Sequence, residues 1–314
     1  MKRMAGLLKG LGGIFILSAI MLSPALAAEK PVVGLVMKSL ANEFFKTMEE
    51  GAKKFAAQDG SFKLIPVGMN SETDIDTQVN AMENFITQKV DLIAVAPADS
   101  VGMVASVKKA MAAGITVVNF DVTLDKKALK EAGLPEDFLF VGPDNAAGAE
   151  MVGDYLGKTL GEGAKVIIIE GNPGADNAKQ RKEGFMRSVN KFKLNLLVSR
   201  TAHWETEEAN TLMTNLLTMH PDVKGVMCAN DSMALGVEKA IAATGRKDIF
   251  IVGFDNIGAV QKLIKEGKIL ATIDQFGPEM AVNAIKVGLR ILKGEKLSGW
   301  QKTPVKLITK ADLN

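Results

Sequence analysis

The 314-residue sequence is poor in the residues that most chemistry uses: one cysteine, two histidines and one tyrosine, with aromatics at only 5%. A lone cysteine, Cys228, excludes an intramolecular disulfide. It sits inside an apolar run far from the N-terminus, which also excludes lipid attachment at a processed cysteine. His203 lies in a polar stretch and His220 precedes Pro221 at the end of a helical pattern, and neither has metal-ligand spacing. No serine occupies a G-x-S-x-G turn, so an enzyme built on a nucleophile and its base has no visible constellation. Asp74-Ile75-Asp76 opens like a calcium loop but lacks the glycine and terminal glutamate at their offsets, so helix-start charge is the expected role. Gly161-Glu162-Gly163 precedes a strand instead of following one, which excludes a nucleotide fingerprint. No metal and no cofactor is expected.

An excess of positive charge is missing as well. The formal net charge is +2, but three of the 38 basic residues, Lys2, Arg3 and Lys9, precede residue 28. Beyond them, 35 basic face 36 acidic side chains, which leaves no surplus to hold nucleic-acid phosphates. The apolar run Leu11–Leu22 is shorter than the ~20 residues a spanning helix needs. With basic residues before it and Ala25-Leu26-Ala27 after it, residues 1–27 read as a cleaved signal peptide. The mature protein is expected to be exported, soluble and monomeric.

What the chain does have is repetition. Gly225–Asp255, GVMCANDSMALGVEKAIAATGRKDIFIVGFD, runs from an apolar strand through Asn230-Asp231 into an amphipathic helix, a glycine and a second apolar strand ending at Asp255. This is a βαβ unit. Val90–Asp121 repeats it, from strand to Asp99-Ser100, helix, glycine and a strand ending at Asp121; the acid-to-acid spacings are 22 and 24 positions. AMENFIT (Ala81–Thr87) and LMTNLLT (Leu212–Thr218) precede the two copies. Val32–Phe55 and Lys165–Val189 form a looser third pair, each a strand, a polar loop and a helix carrying Glu-Gly. Three matched units in one order, at a period far above solenoid lengths, predict two similar α/β lobes. Open α/β sheets bind ligands outside the carboxyl ends of their strands, which is where Asp121, Asn230 and Asp255 fall.

Helix caps are expected at Ser71 or Thr73 and at Asn230-Asp231, with ligand contact preferred for Asn230 and capping for Asp231. A short helical insertion is expected over Asp125–Gly133, and a crossing to the second lobe near Pro143-Asp144. The long helix MAVNAIKVGLRILKG (Met280–Gly294) must return to one of two sheets already laid down, because the second lobe ends near Gln275. Short strands near Val305–Ile308 finish the chain. The resulting boundaries are 28–143 with 276–305 for the first lobe, and 144–275 with 306–314 for the second.

From Pro31 onward the chain resembles the periplasmic monosaccharide-binding proteins of ABC importers, ribose-binding branch. SLANEFF (Ser39–Phe45) matches that family's first-loop signature and ANDSMALG (Ala229–Gly236) its signature before a second-lobe helix. VGFD (Val252–Asp255) and ATIDQ (Ala271–Gln275) continue the pattern in order. The resemblance implies the type I fold: two Rossmann-like lobes with parallel sheets, joined by a three-segment hinge and closing on a ligand between them. It also implies Asn42, Phe44, Phe45, Asp121, Trp204, Asn230, Asp255 and Gln275 as ligand-binding positions. The expected ligand is a sugar or polyol, delivered to an ABC transporter permease. The alternative role is presentation of a sugar-like signal, an autoinducer or chemoattractant, to a membrane receptor. A transcriptional repressor of the same fold would carry a DNA-binding helix pair in place of the N-terminal signal.

Departures from the ribose pattern are equally informative. Asp121 is followed by Val122 where an arginine is usual, and Lys38 replaces a small hydroxyl residue. The family's second-lobe arginine falls at Lys179, beside Asn177 and Arg181. Asn177 and Arg181 share a helix face, and the sequence leaves open whether Lys179 or Arg181 reaches the cleft. These departures predict a hydroxyl pattern other than that of ribose.

Overall fold

The structure is a computed structural model that describes Met1 and residues 29–313. The expected signal segment and its cleavage point lie outside the described residues. No described helix is long and apolar enough to cross a membrane.

The first half of the chain alternates strand and helix. The order is β1 (Val32–Ser39), α1 (Glu43–Asp59), β2 (Lys63–Met69), α2 (Ile75–Gln88), β3 (Leu92–Val95), α3 (Val104–Ala112), β4 (Thr116–Phe120), α4 (Lys126–Glu131) and β5 (Phe140–Pro143). The second half repeats the alternation with α5 (Asn145–Leu160), β6 (Lys165–Glu170), α6 (Asp176–Lys191), β7 (Asn195–Thr201), α7 (Thr206–Met219), β8 (Gly225–Cys228), α8 (Asp231–Ala243), β9 (Phe250–Val252), α9 (Gly258–Glu266) and β10 (Ala271–Asp274). Then come α10 (Gly277–Leu292), β11 (Trp300–Thr303) and β12 (Lys306–Thr309).

Two six-stranded sheets result, ordered β11-β5-β4-β3-β1-β2 and β12-β10-β9-β8-β6-β7. Every pairing is parallel except β10 with β12. Helices cover both faces of a parallel sheet, so its central strands are uninterrupted apolar runs. Leu92–Val95 and Gly225–Cys228 are buried at every position. The chain leaves the first sheet after Pro143, returns after Asp274, and leaves again after Thr303. The returning helix α10 lies against α1, β3 and β4 of the first sheet, where Leu92 meets Gly288.

Some local readings change. Helix α2 begins at Ile75, and Asp74, not Ser71 or Thr73, caps it by accepting a hydrogen bond from the Thr77 N–H at 3.1 Å. Asp74 is one residue closer to the first N–H groups, and a carboxylate there also complements the helix dipole. Asn230 is the cap of α8, accepting from Met233 N–H at 2.9 Å. Asp231 is instead the first helical residue, and its carboxylate accepts from Thr272 Oγ1 at 2.7 Å and from Ile257 N–H at 3.0 Å.

Candidate functional site

The carboxyl ends of both sheets face each other across a small polar cavity whose lining is almost fully buried. Strand β1 carries Lys38 as its next-to-last residue, and the loop into α1 carries Asn42 ahead of Phe44 and Phe45. Asp121 follows β4, Asn230 follows β8, Asp255 follows β9, and Gln275 follows β10. Helix α6 contributes Asn177 and Arg181 from its first turns, and Trp204 precedes α7. These eleven residues line the cavity together with Glu72, at the approach to α2. Eleven of the twelve positions expected from sequence thus meet in one place.

Lys179 is the exception. It is exposed and outside the cavity, whereas Arg181 is 2% exposed and lines it. Two residues apart on a helix are rotated by about 200°, so the two cations face opposite ways. Asn177 and Arg181, four apart, share the inward face. Glu72 is the residue that sequence reasoning missed. It lies in a Ser-Glu-Thr-Asp run that reads as polar loop before a helix, and nothing local marks it as 1% exposed.

Arg181 is the most heavily engaged group. Its Nε donates to Asn145 Oδ1 at 2.9 Å, its Nη1 donates to the Ala229 carbonyl at 2.8 Å, and Nη1 lies 3.5 Å from Asp255 Oδ1. The guanidinium stacks 3.7 Å above the Phe254 ring. Asp255 also accepts from Gln275 Nε2 at 2.7 Å. On the other side, Lys38 Nζ is 2.8 Å from Glu72 Oε2, and Asn42 Nδ2 donates to Glu72 Oε1 at 2.8 Å. Asn42 Oδ1 accepts from the Phe44 N–H at 3.0 Å, so this side chain both starts α1 and fixes the acid. Lys38 Nζ also stands 5.3 Å from the Trp204 ring centre and 5.5 Å from that of Phe45. Both rings therefore flank a cation as well as the cavity.

Four buried polar atoms in this lining have no hydrogen-bond partner among the described residues; Glu72 Oε2 is ion-paired to Lys38, which leaves Asp121 Oδ1, Asn177 Oδ1 and Trp204 Nε1 without any partner. Backbone strain collects in the same place. Asp121 (φ 64°), Trp204 (φ 72°) and Asp255 (φ 130°) hold positive φ, which side-chain-bearing residues adopt at a cost of about 1–3 kcal/mol and mostly at functional sites. The Trp204 ring needs a glycine beside it: a Cβ at Gly171 would lie 2.1 Å from Trp204 Cη2.

Burial dominates the electrostatics. It pushes the Asp121 carboxyl up to about 6, against the pull of nearby Lys38 and Arg181. It raises Asp255 well above the carboxylate range, opposed first by Arg181. Asp231, behind Asp255, is raised to about 7 by burial, with the Thr272 and backbone hydrogen bonds opposing. Lys38 and Arg181 thus face Glu72, Asp121 and Asp255 in a nearly sealed polar chamber.

The rim is closed by contacts between the two halves. Ser100 N–H donates to the Gly174 carbonyl at 3.0 Å, and Asp176 N–H donates to Ser100 Oγ at 2.9 Å. Thr123 Oγ1 donates to Asp176 Oδ2 at 2.5 Å, and Glu72 N–H donates to Glu205 Oε1 at 3.0 Å. Glu43 accepts from the N–H groups of Gly258 and Ala259 at 2.9 and 3.4 Å.

The sequence pattern of the periplasmic binding protein domain matches residues 33–296. The chain belongs to the periplasmic binding protein family. This binding protein is 43% identical to the D-ribose/D-allose-binding protein of Pseudomonas aeruginosa over 90% of its own length and 89% of that protein's. An ABC transporter solute-binding protein from Burkholderia multivorans superposes with a TM-score of 0.86 at 43% identity, covering 90% of this chain and 100% of that one. Another, from Actinobacillus succinogenes with bound D-allose, gives 0.85 at 34% identity, covering 90% and 99%. These similarities establish the type I architecture and a binding role without chemistry on the ligand.

Proposed function

We propose that this chain is the periplasmic solute-binding component of an ABC importer and encloses one monosaccharide or polyol between its lobes. The observation that carries the reading is the trio of unpartnered atoms in the cavity. Two are acceptors, Asp121 Oδ1 and Asn177 Oδ1, and one is a donor, Trp204 Nε1. Leaving a buried polar group unpaired costs about 1–3 kcal/mol, so such a cluster suits a ligand that both donates and accepts. Hydroxyl groups do both. The rings of Phe44, Phe45 and Trp204 supply apolar faces for the ligand's C–H patches. Asn42, Asn230 and Gln275 act chiefly by fixing the groups that touch it.

The ligand we favour is a hexose before ribose, with D-allose the first candidate. Val122, where ribose binders have arginine, is fully buried in the core, and the buried Lys38–Glu72 pair stands in the cavity instead. The solved relative with bound D-allose supports the choice, and the Pseudomonas aeruginosa relative is named for both D-ribose and D-allose. Their descriptions as solute-binding proteins favour delivery to a permease over presentation to a receptor. Residues 28–143 with 276–305 act as one jaw, and 144–275 with 306–314 as the other. The mature chain works as a monomer after export and removal of residues 1–27.

A thermal-shift panel of aldoses, ketoses and polyols tests this. At a hundredfold excess over Kd a ligand adds about 2.7 kcal/mol, a shift of several degrees in a chain of this size. D-Allose is expected to shift Tm more than ribose. Ribose giving the largest shift refutes the discrimination, and no shift with any sugar or polyol refutes the function.

A further inference from the structure

Helix α9 begins without a cap of its own. Its N-cap is Ile257, whose side chain carries no acceptor, and among the described residues the side chains that meet its first N–H groups come from elsewhere in the chain. Asp231 accepts from Ile257 N–H within the same lobe. The Gly258 and Ala259 N–H groups are held across the cleft by Glu43, from the first turn of α1 in the other lobe and 215 residues away in sequence. Gly258 makes the approach feasible, because a Cβ there would stand 2.8 Å from Glu43 Oε1. Glu43 does not line the cavity.

We infer that Glu43 is a positioning residue for ligand capture, a helix cap supplied in trans that completes α9 only when the lobes are closed. One carboxylate then sits between the N-terminal ends of α1 and α9, where both helix dipoles favour negative charge. When the lobes separate, the Gly258 and Ala259 N–H groups revert to water and the closed form loses that stabilisation. Because ligand dissociates from the opened form, the cap slows release without touching the ligand. A typical cap is worth about 1 kcal/mol, about fivefold in an equilibrium constant. This inference rests on the reading that closure holds the ligand, but opening can be read without any ligand.

The test combines two measurements on the mature chain. Cys228 is buried, so spin labels at Lys127→Cys on α4 and Lys239→Cys on α8 report the distance between lobes in ligand-free protein. Glu43→Ala should move that distribution toward longer distances and speed release of D-allose about fivefold with the association rate unchanged. Glu43→Gln, which keeps one acceptor oxygen at the same reach, should retain part of the effect. Gly258→Ala alters the opposite partner and extends no side chain into the cavity. It should act in the same direction, and the Glu43→Ala/Gly258→Ala pair should be no worse than the stronger single change. Unchanged distances and release rates in Glu43→Ala overturn the inference, as do additive effects in the pair. Should D-allose fail to bind, the ligand reading fails and the ligand-free distances alone decide this one.

Discussion

Ligand affinity should fall with acid, and Asp121 should be the main cause. Its carboxyl is buried, has one oxygen without a partner, and is pushed up to about 6 by burial against Lys38 and Arg181. A sugar hydroxyl donating to that oxygen favours the ionised form, so binding lowers the pKa. The bound state then holds fewer protons than the free state below about pH 6, and affinity rises with pH through that window and flattens above it. If binding returns the group to its ordinary 3.8, the shift is about two units. Two units correspond to roughly 2.7 kcal/mol, or ~100-fold in Kd between pH 7 and pH 4. That magnitude agrees with one or two hydrogen bonds to a charged group at roughly 1.5–3 kcal/mol each. Isothermal titration at pH 5, 6 and 7.5 in two buffers of different ionisation enthalpy measures both the affinity and the protons released. Asp121→Asn should weaken binding 10- to 100-fold at pH 7 and flatten most of the profile, the residual slope belonging to Asp255. A profile that is unchanged in Asp121→Asn, or an affinity constant from pH 5 to 7.5, refutes the reasoning.

Three further outcomes follow from the same geometry. Lys38→Met leaves Glu72 buried and uncompensated and should destabilise the ligand-free protein by about 3–5 kcal/mol by urea unfolding, with Glu72→Gln in the same chain restoring most of it. Arg181→Leu removes the partner of Asp255 and the donors to Asn145 and Ala229, so it should both abolish binding and lower stability by a similar amount, measured the same way. Lys179→Ala should leave affinity unchanged within twofold by titration, since the side chain is exposed on the far side of α6.

Periodicity and repetition made most of the architecture legible before any coordinates. The match of Val90–Asp121 to Gly225–Asp255 required two lobes, and the acids ending each copy do face one cavity. The expectation that the last helix returns to a sheet already laid down holds for α10. What the sequence could not supply was orientation about helix axes and long-range pairing. Lys179 and Arg181 are equally plausible as letters, and only the phase of α6 separates them. Glu72 looks like loop polarity because its partners, Lys38 and Asn42, arrive from a strand end and a helix start some thirty residues earlier. The cap of α2 moved to Asp74 because three residues within four positions, Ser71, Thr73 and Asp74, are all competent caps. Asn230 took the capping role expected of Asp231, whose carboxylate turned instead toward Thr272 and α9.

The strand order also constrains how this protein can be made. One edge strand of the first sheet is β11 and one of the second is β12, and the two are separated by only a pair of residues near position 304. Helix α10, which covers β3 and β4, also comes after the whole second sheet in sequence. Neither lobe can therefore be finished as it emerges, and both are completed together once residues 300–309 exist. The first lobe's core is therefore closed by a helix made after strands β6 to β10 of the second sheet, so the two lobes are completed as one unit.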